Sequence, residues 1–102
     1  MDGIRKIERI VAYLDVWLGA LFPIAKMKAK IVETPSGAFT AFANLALRNS
    51  TSGIPEFTSG SGSTQHEALT NLLTNFVSEA KSHPRGANLT EDDFEWSAPE
   101  DF

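Results

Sequence analysis

The chain has few groups able to carry a reaction. Its two histidines, His66 and His83, stand 17 positions apart, and neither has a carboxylate at a metal-ligand spacing. No cysteine occurs in the 102 residues, which excludes thiol catalysis, disulfide scaffolds, Cys-ligated zinc and iron–sulfur clusters. Ser59-Gly60-Ser61-Gly62-Ser63 does not spell the Gly-x-Ser-x-Gly nucleophile elbow, and no histidine–acid pair completes a triad. Gly60-Ser61-Gly62 ahead of a helix could cradle a phosphate on free N–H groups. A dinucleotide fingerprint needs a third glycine where Gln65 stands, and a P-loop needs Gly-Lys-Ser/Thr. Neither pattern is complete, and a plain turn with a helix cap explains the same residues. The expectation is a protein that is not an enzyme and uses no metal and no cofactor.

Binding chemistry is better represented. Lys26, Lys28 and Lys30 alternate along a segment with strand character, a spacing of ~6–7 Å between successive ammonium groups. Phe42 falls opposite Lys30, with Asn44 beside it and Arg48 at the far end of the same hairpin. Cations following a backbone, with an aromatic ring for stacking, are the means of holding a nucleic-acid single strand. Alternate lysines also guard an edge strand against aggregation. The formal charge of −4 is uneven: residues 84–102 carry six acids against Arg85 alone, which leaves the remainder close to neutral. A near-neutral body lacks the usual basic footprint, so the protective role is preferred.

The acidic stretch also contains Phe94, Trp96 and Phe102. Low hydrophobicity and high charge suggest a mobile extension. Aromatic residues are costly in a purely solvating tail, so they suggest docking onto the body or onto a partner. An acidic extension ending Asp101-Phe102 is similar to the tails of bacterial and phage single-strand-binding proteins, although Pro99 does not directly precede the phenylalanine. Such a tail would compete with nucleic acid for the lysine row.

The elements that would position these groups follow from periodicity. Ile4, Ile7, Val11, Leu14, Leu18 and Leu21 recur at spacings of three and four, which predicts an amphipathic helix over residues 4–21, stopped by Pro23. Its wide apolar stripe would cover a sheet or pair with a second copy. Residues 26–34 and 38–48 predict a hairpin turned at Pro35-Ser36-Gly37. With Glu33 opposite Phe39, Ile31 meets Ala41, Ala29 meets Ala43 and Met27 meets Leu45 on one buried face. A slip of one residue would set lysines against that apolar row. Ile54–Ser61 suggests a short third strand, confined by Pro55 to an edge. Thr64 and Glu67 form a capping box for a second helix, whose apolar face runs through Leu72 and Phe76 to a stop at His83-Pro84.

The predicted class is α+β in the order α-β-β-(β)-α: an antiparallel two- or three-stranded sheet with two helices on one face. Residues 1–83 form the single domain and 84–102 the acidic-aromatic tail. The stretch 28–80 resembles double-stranded-RNA-binding-like domains and HicB-type antitoxin domains. The resemblance rests on Gly60-Ser61-Gly62-Ser63-Thr64 entering the helix and on Glu67-Ala68 within it. It implies an α-β-β-β-α fold. The RNA-binding family sets lysines at the start of that helix, where this chain has Gln65 and His66, so duplex-RNA binding does not carry over.

The longest apolar run, 10–24, is interrupted by Asp15 and Pro23 and falls short of the ~20 apolar residues that a membrane span needs. Asp2, Glu8 and Asp15 do not suit a secretory signal, so a cytoplasmic protein is expected and the acceptor patterns at Asn49 and Asn88 are read as chance. The leading functional expectation is a small interaction module, of the accessory or inhibitor type found on mobile elements. It would bind a protein through the first helix, the outer sheet face or the tail. Single-stranded nucleic-acid binding and a homodimer built on residues 4–21 are the alternatives.

Overall fold

The computed structural model describes residues 2–102. Alternation of small apolar and lysine residues makes β2 (Lys26–Glu33), and the same period makes β3 (Phe39–Ala43). They pair antiparallel with Glu33 opposite Phe39, Lys30 opposite Phe42, Ile31 opposite Ala41 and Ala29 opposite Ala43, the register expected from the apolar pattern. Gly37 takes φ +84° in the turn, a conformation open to glycine. Met27, Ala29, Ile31, Ala41 and Ala43 are buried on one face.

The hairpin ends earlier than the sequence suggested, so Met27 does not meet Leu45. At Asn44 the side chain replaces the main chain as acceptor: Lys28 N–H donates to Asn44 Oδ1 at 2.9 Å, and Asn44 N–H donates to Lys28 O at 3.0 Å. The carbonyl of Asn44 is thereby released and accepts from Ser97 N–H at 2.8 Å. The chain then enters a second sheet as β4 (Leu45–Arg48), flanked by β5 (Pro55–Glu56) and β7 (Phe94–Trp96).

The predicted first helix is absent. Arg9–Trp17 is instead a strand, β1, antiparallel to β2 with Tyr13 opposite Lys30 and Trp17 opposite Lys26. An irregularity between Ile10 and Ala12 inserts one residue into the pairing. That extra residue resets the two-residue alternation, which turns strand spacings into the threes and fours of a helix. The β-branched and aromatic residues of Ile10–Trp17 suit a strand, and the β2 edge is there to receive it. The molecule is therefore α+β with seven strands in two antiparallel sheets and one helix among the described residues.

That helix, α1 (Gln65–Ser82), starts at Thr64, whose hydroxyl accepts from Glu67 N–H at 3.0 Å. The Glu67 carboxylate returns to Ser63 N–H at 3.1 Å. Ala68, Leu72, Phe76 and Ala80 face the first sheet, ordered β1-β2-β3-β6, where β6 is Ser59–Gly62. The glycines of β6 are needed for contact rather than for a phosphate. A Cβ on Gly60 would lie 2.1 Å from Leu72 N, and one on Gly62 would lie 2.8 Å from Ala68 N.

Residues 84–102 do not form a free acidic extension. β7 pairs with β4, Leu47 opposite Phe94 and Leu45 opposite Trp96. Phe94 is 6% exposed and packs with Phe22 and Phe76, whose own rings are 5.3 Å apart. Two of the acids are taken up by partners: Glu95 holds Arg48 at 2.6 Å, and Asp93 accepts from Thr90 N–H at 2.8 Å and forms an ion pair with Arg85 at 3.3 Å. Aromatic burial outweighs the charge repulsion that suggested mobility. No helix of the described residues is long and apolar enough to cross a membrane.

Candidate interaction surface

The face of the first sheet opposite α1 carries the lysine row. Because β1 lies beside β2, Asp15 comes between two of the lysines: Lys28 Nζ is 3.1 Å from Asp15 Oδ1 and Lys26 Nζ is 4.0 Å from Oδ2. The hydrogen bond from Lys28, and then the charge of Lys26, hold the Asp15 carboxyl below the usual carboxylate range. Lys26 Nζ also lies 4.9 Å from the centre of the Trp17 ring.

Lys30 is in a different environment, at 4% exposed. Its ammonium donates to Phe102 O at 3.1 Å and to Glu8 Oε1 at 3.4 Å. It also stands 4.9 Å from the Phe102 ring centre and 5.9 Å from that of Phe42. The Tyr13 ring lies 6.2 Å from Phe102, tilted by 56°, and its hydroxyl donates to Phe102 O at 3.4 Å. A buried ammonium needs such partners to offset its desolvation. Among the described residues no buried side-chain polar atom lacks one.

The candidate residues thus fall into three groups. Lys26, Lys28, Lys30 and Phe42 share the outer face, and Phe102 comes to them. Trp96, half exposed, lines a cleft of about 620 Å³ with Phe42, Phe57, Lys30 and Phe102. Asn44 is the junction between sheets, Arg48 lies in the second sheet, and Phe94 is core. No three His, Asp or Glu side chains of the described residues converge as a metal site would require.

The sequence did not reveal how the edges of the first sheet differ. At β6 the helix closes the edge: Asn71 Nδ2 donates to Ser61 O at 2.7 Å and Asn75 Nδ2 to Ser59 O at 3.0 Å. At β1 the edge is open and apolar. Trp17 is 73% exposed, and Tyr13, Leu14 and Ile10 are exposed along the same strand. Ahead of it Ile7 is 78% exposed. The signal was present in the four-residue spacing of Asn71 and Asn75 beside the β6 glycines, and in the β-rich composition of Ile10–Trp17.

No protein-family model matches this chain, and neither a curated protein nor a solved structure does. The reading of the surface therefore rests on its own geometry.

Proposed function

We propose that the chain is a small non-enzymatic interaction module that takes an extended segment of a protein partner alongside β1. The contrast between the two sheet edges carries this reading. One edge has its carbonyls occupied by asparagine side chains, while the other presents nine residues of strand flanked by exposed Ile10, Tyr13, Leu14 and Trp17. Strand addition draws affinity from main-chain hydrogen bonds and specificity from alternate side chains. A long edge strand that exposes apolar side chains is otherwise an aggregation hazard. An accessory or inhibitor role in the cytoplasm is proposed with it for this cysteine-free chain.

Nucleic-acid binding is the weaker proposal. Two lysines of the row share Asp15, the third is buried on Glu8 and Phe102, and Arg48 is held by Glu95. A second copy could use the same β1 edge, which would make the module a homodimer.

The test compares wild type with a Leu14→Lys/Trp17→Ser variant of unchanged far-ultraviolet dichroism, each used to capture proteins from the native host. The expected result is a protein retained by wild type and lost from the variant. Equal capture by both, with light scattering giving a monomer for each, would remove the reading.

A further inference from the structure

The hydrogen-bond acceptors of the buried Lys30 ammonium do not come from its partners in the strand ladder. They come from Glu8, which precedes β1, and from Phe102, the last residue described. Phe102 reaches the face by a short 3₁₀ turn, Pro99–Asp101, held by internal bonds from Asp101 N–H to Ala98 O at 2.9 Å and from Phe102 N–H to Pro99 O at 3.4 Å. Between Ser97, bonded to Asn44, and Phe102, no residue hydrogen-bonds to any described residue outside the segment. Glu100 and Asp101 form no salt bridge with any described residue. One aromatic residue therefore holds this segment down, through its ring on Lys30 and Tyr13 and its main-chain oxygen on Lys30 Nζ.

The cleft is larger than its occupant. With Phe102 in place, a cleft of about 620 Å³ remains, lined by the rings of Phe42, Phe57 and Trp96 and by Lys6 and Lys30, both paired with Glu8. Three aromatic rings beside the buried Lys30 ammonium suit a ligand that brings an aromatic ring and a main-chain carbonyl oxygen, as Phe102 does. The segment already present has that chemistry. We infer that this cleft is a binding site for a peptide segment bearing a phenylalanine, and that residues 97–102 occupy it in cis as a displaceable substitute. The inference rests on the reading of the chain as a protein-binding module but uses a surface other than β1, so each can fail alone.

The probe is a labelled, N-acetylated peptide of sequence Ser97–Phe102, titrated into the full chain and into a Phe102→Ala variant. An occupied site lowers apparent affinity by the fraction of open molecules, so releasing the latch is expected to tighten binding by about ten-fold. The same peptide with alanine in place of its phenylalanine should not bind. Lys30→Met in the Phe102→Ala background should abolish binding; methionine fills a similar volume, and Glu8 keeps Lys6 at 3.7 Å. Leu14→Lys/Trp17→Ser should leave peptide binding unchanged, which separates this site from the β1 edge. A folded Phe102→Ala variant that fails to bind the peptide at millimolar concentration would overturn the inference. Equal binding of the alanine peptide would do so too, as would an oligonucleotide that binds Phe102→Ala protein while the peptide does not.

Discussion

Asn44 grips Lys28 by two hydrogen bonds, its amide oxygen at 2.9 Å from Lys28 N and its N–H at 3.0 Å from Lys28 O. The arrangement copies a strand pair with a side chain in place of a carbonyl, and so lets one sheet pass its chain to the next. Asn44→Ala removes the acceptor while leaving the main-chain donor in place. The expected loss is about 1 kcal/mol, with Asn44→Asp nearer to wild type, measured by urea unfolding.

Gly60 admits no side chain. The atom nearest to an added Cβ is Leu72 N at 2.1 Å, which is helix backbone and cannot rotate aside. Gly60→Ala is expected to destabilise by about 3 kcal/mol or more, or to prevent folding. Gly62→Ala, whose Cβ would lie 2.7 Å from Glu67 Cβ and 2.8 Å from Ala68 N, clashes less deeply and should be milder. Equal unfolding midpoints for the two variants would contradict the close helix-on-strand packing.

The Asn71 and Asn75 amides seal the β6 edge, each donating to a strand carbonyl. Replacing both with alanine should lower stability by about 1 kcal/mol for each bond and expose a second strand edge. The variant should assemble faster than wild type in a thioflavin assay under mild agitation. Unchanged assembly would mean that these bonds do not protect the edge.

Acid should weaken the molecule through Asp15 and Asp93. Both carboxyls titrate below their usual range in the fold, Asp15 chiefly through the Lys28 hydrogen bond and Asp93 chiefly through Thr90 N–H. A carboxyl with a lowered folded pKa contributes stability that is present above the unfolded pKa and is lost as pH falls through the folded one. Stability should therefore decline as pH drops below the ordinary carboxylate range. Asp15→Asn and Asp93→Asn should each flatten that decline, as followed by thermal melts across the acid range.

The register of β2 and β3 was legible because Lys26, Lys28 and Lys30 cannot share a face with Met27, Ala29 and Ile31, and burial decides which row turns inward. The α1 start was legible from Thr64 and Glu67 for a similarly local reason. β1 was not, since one extra residue near Val11 disguises a two-residue period as a helical one, and only the waiting edge of β2 resolves the ambiguity. The end of β3 at Asn44 depends on Ser97, far away in the chain, which no local pattern announces. Likewise the stretch 91–101 looked solvating because Arg48, which pairs with Glu95, and Phe22 and Phe76, which receive Phe94, lie far away in the chain. Phe42, Lys30 and Phe102 each stood out in the sequence as candidates; their meeting did not.

The pairing of Leu45–Arg48 with Phe94–Trp96 has a consequence for biosynthesis. On a ribosome, one flank of the emerging β4 stays unsatisfied until some fifty further residues have been translated. The first sheet and its helix can settle in that interval, whereas the aromatic contact of Phe94 with Phe22 and Phe76 must come last. A pause in translation before that point would hold on the ribosome a nascent chain whose second sheet is still a lone, sticky ribbon.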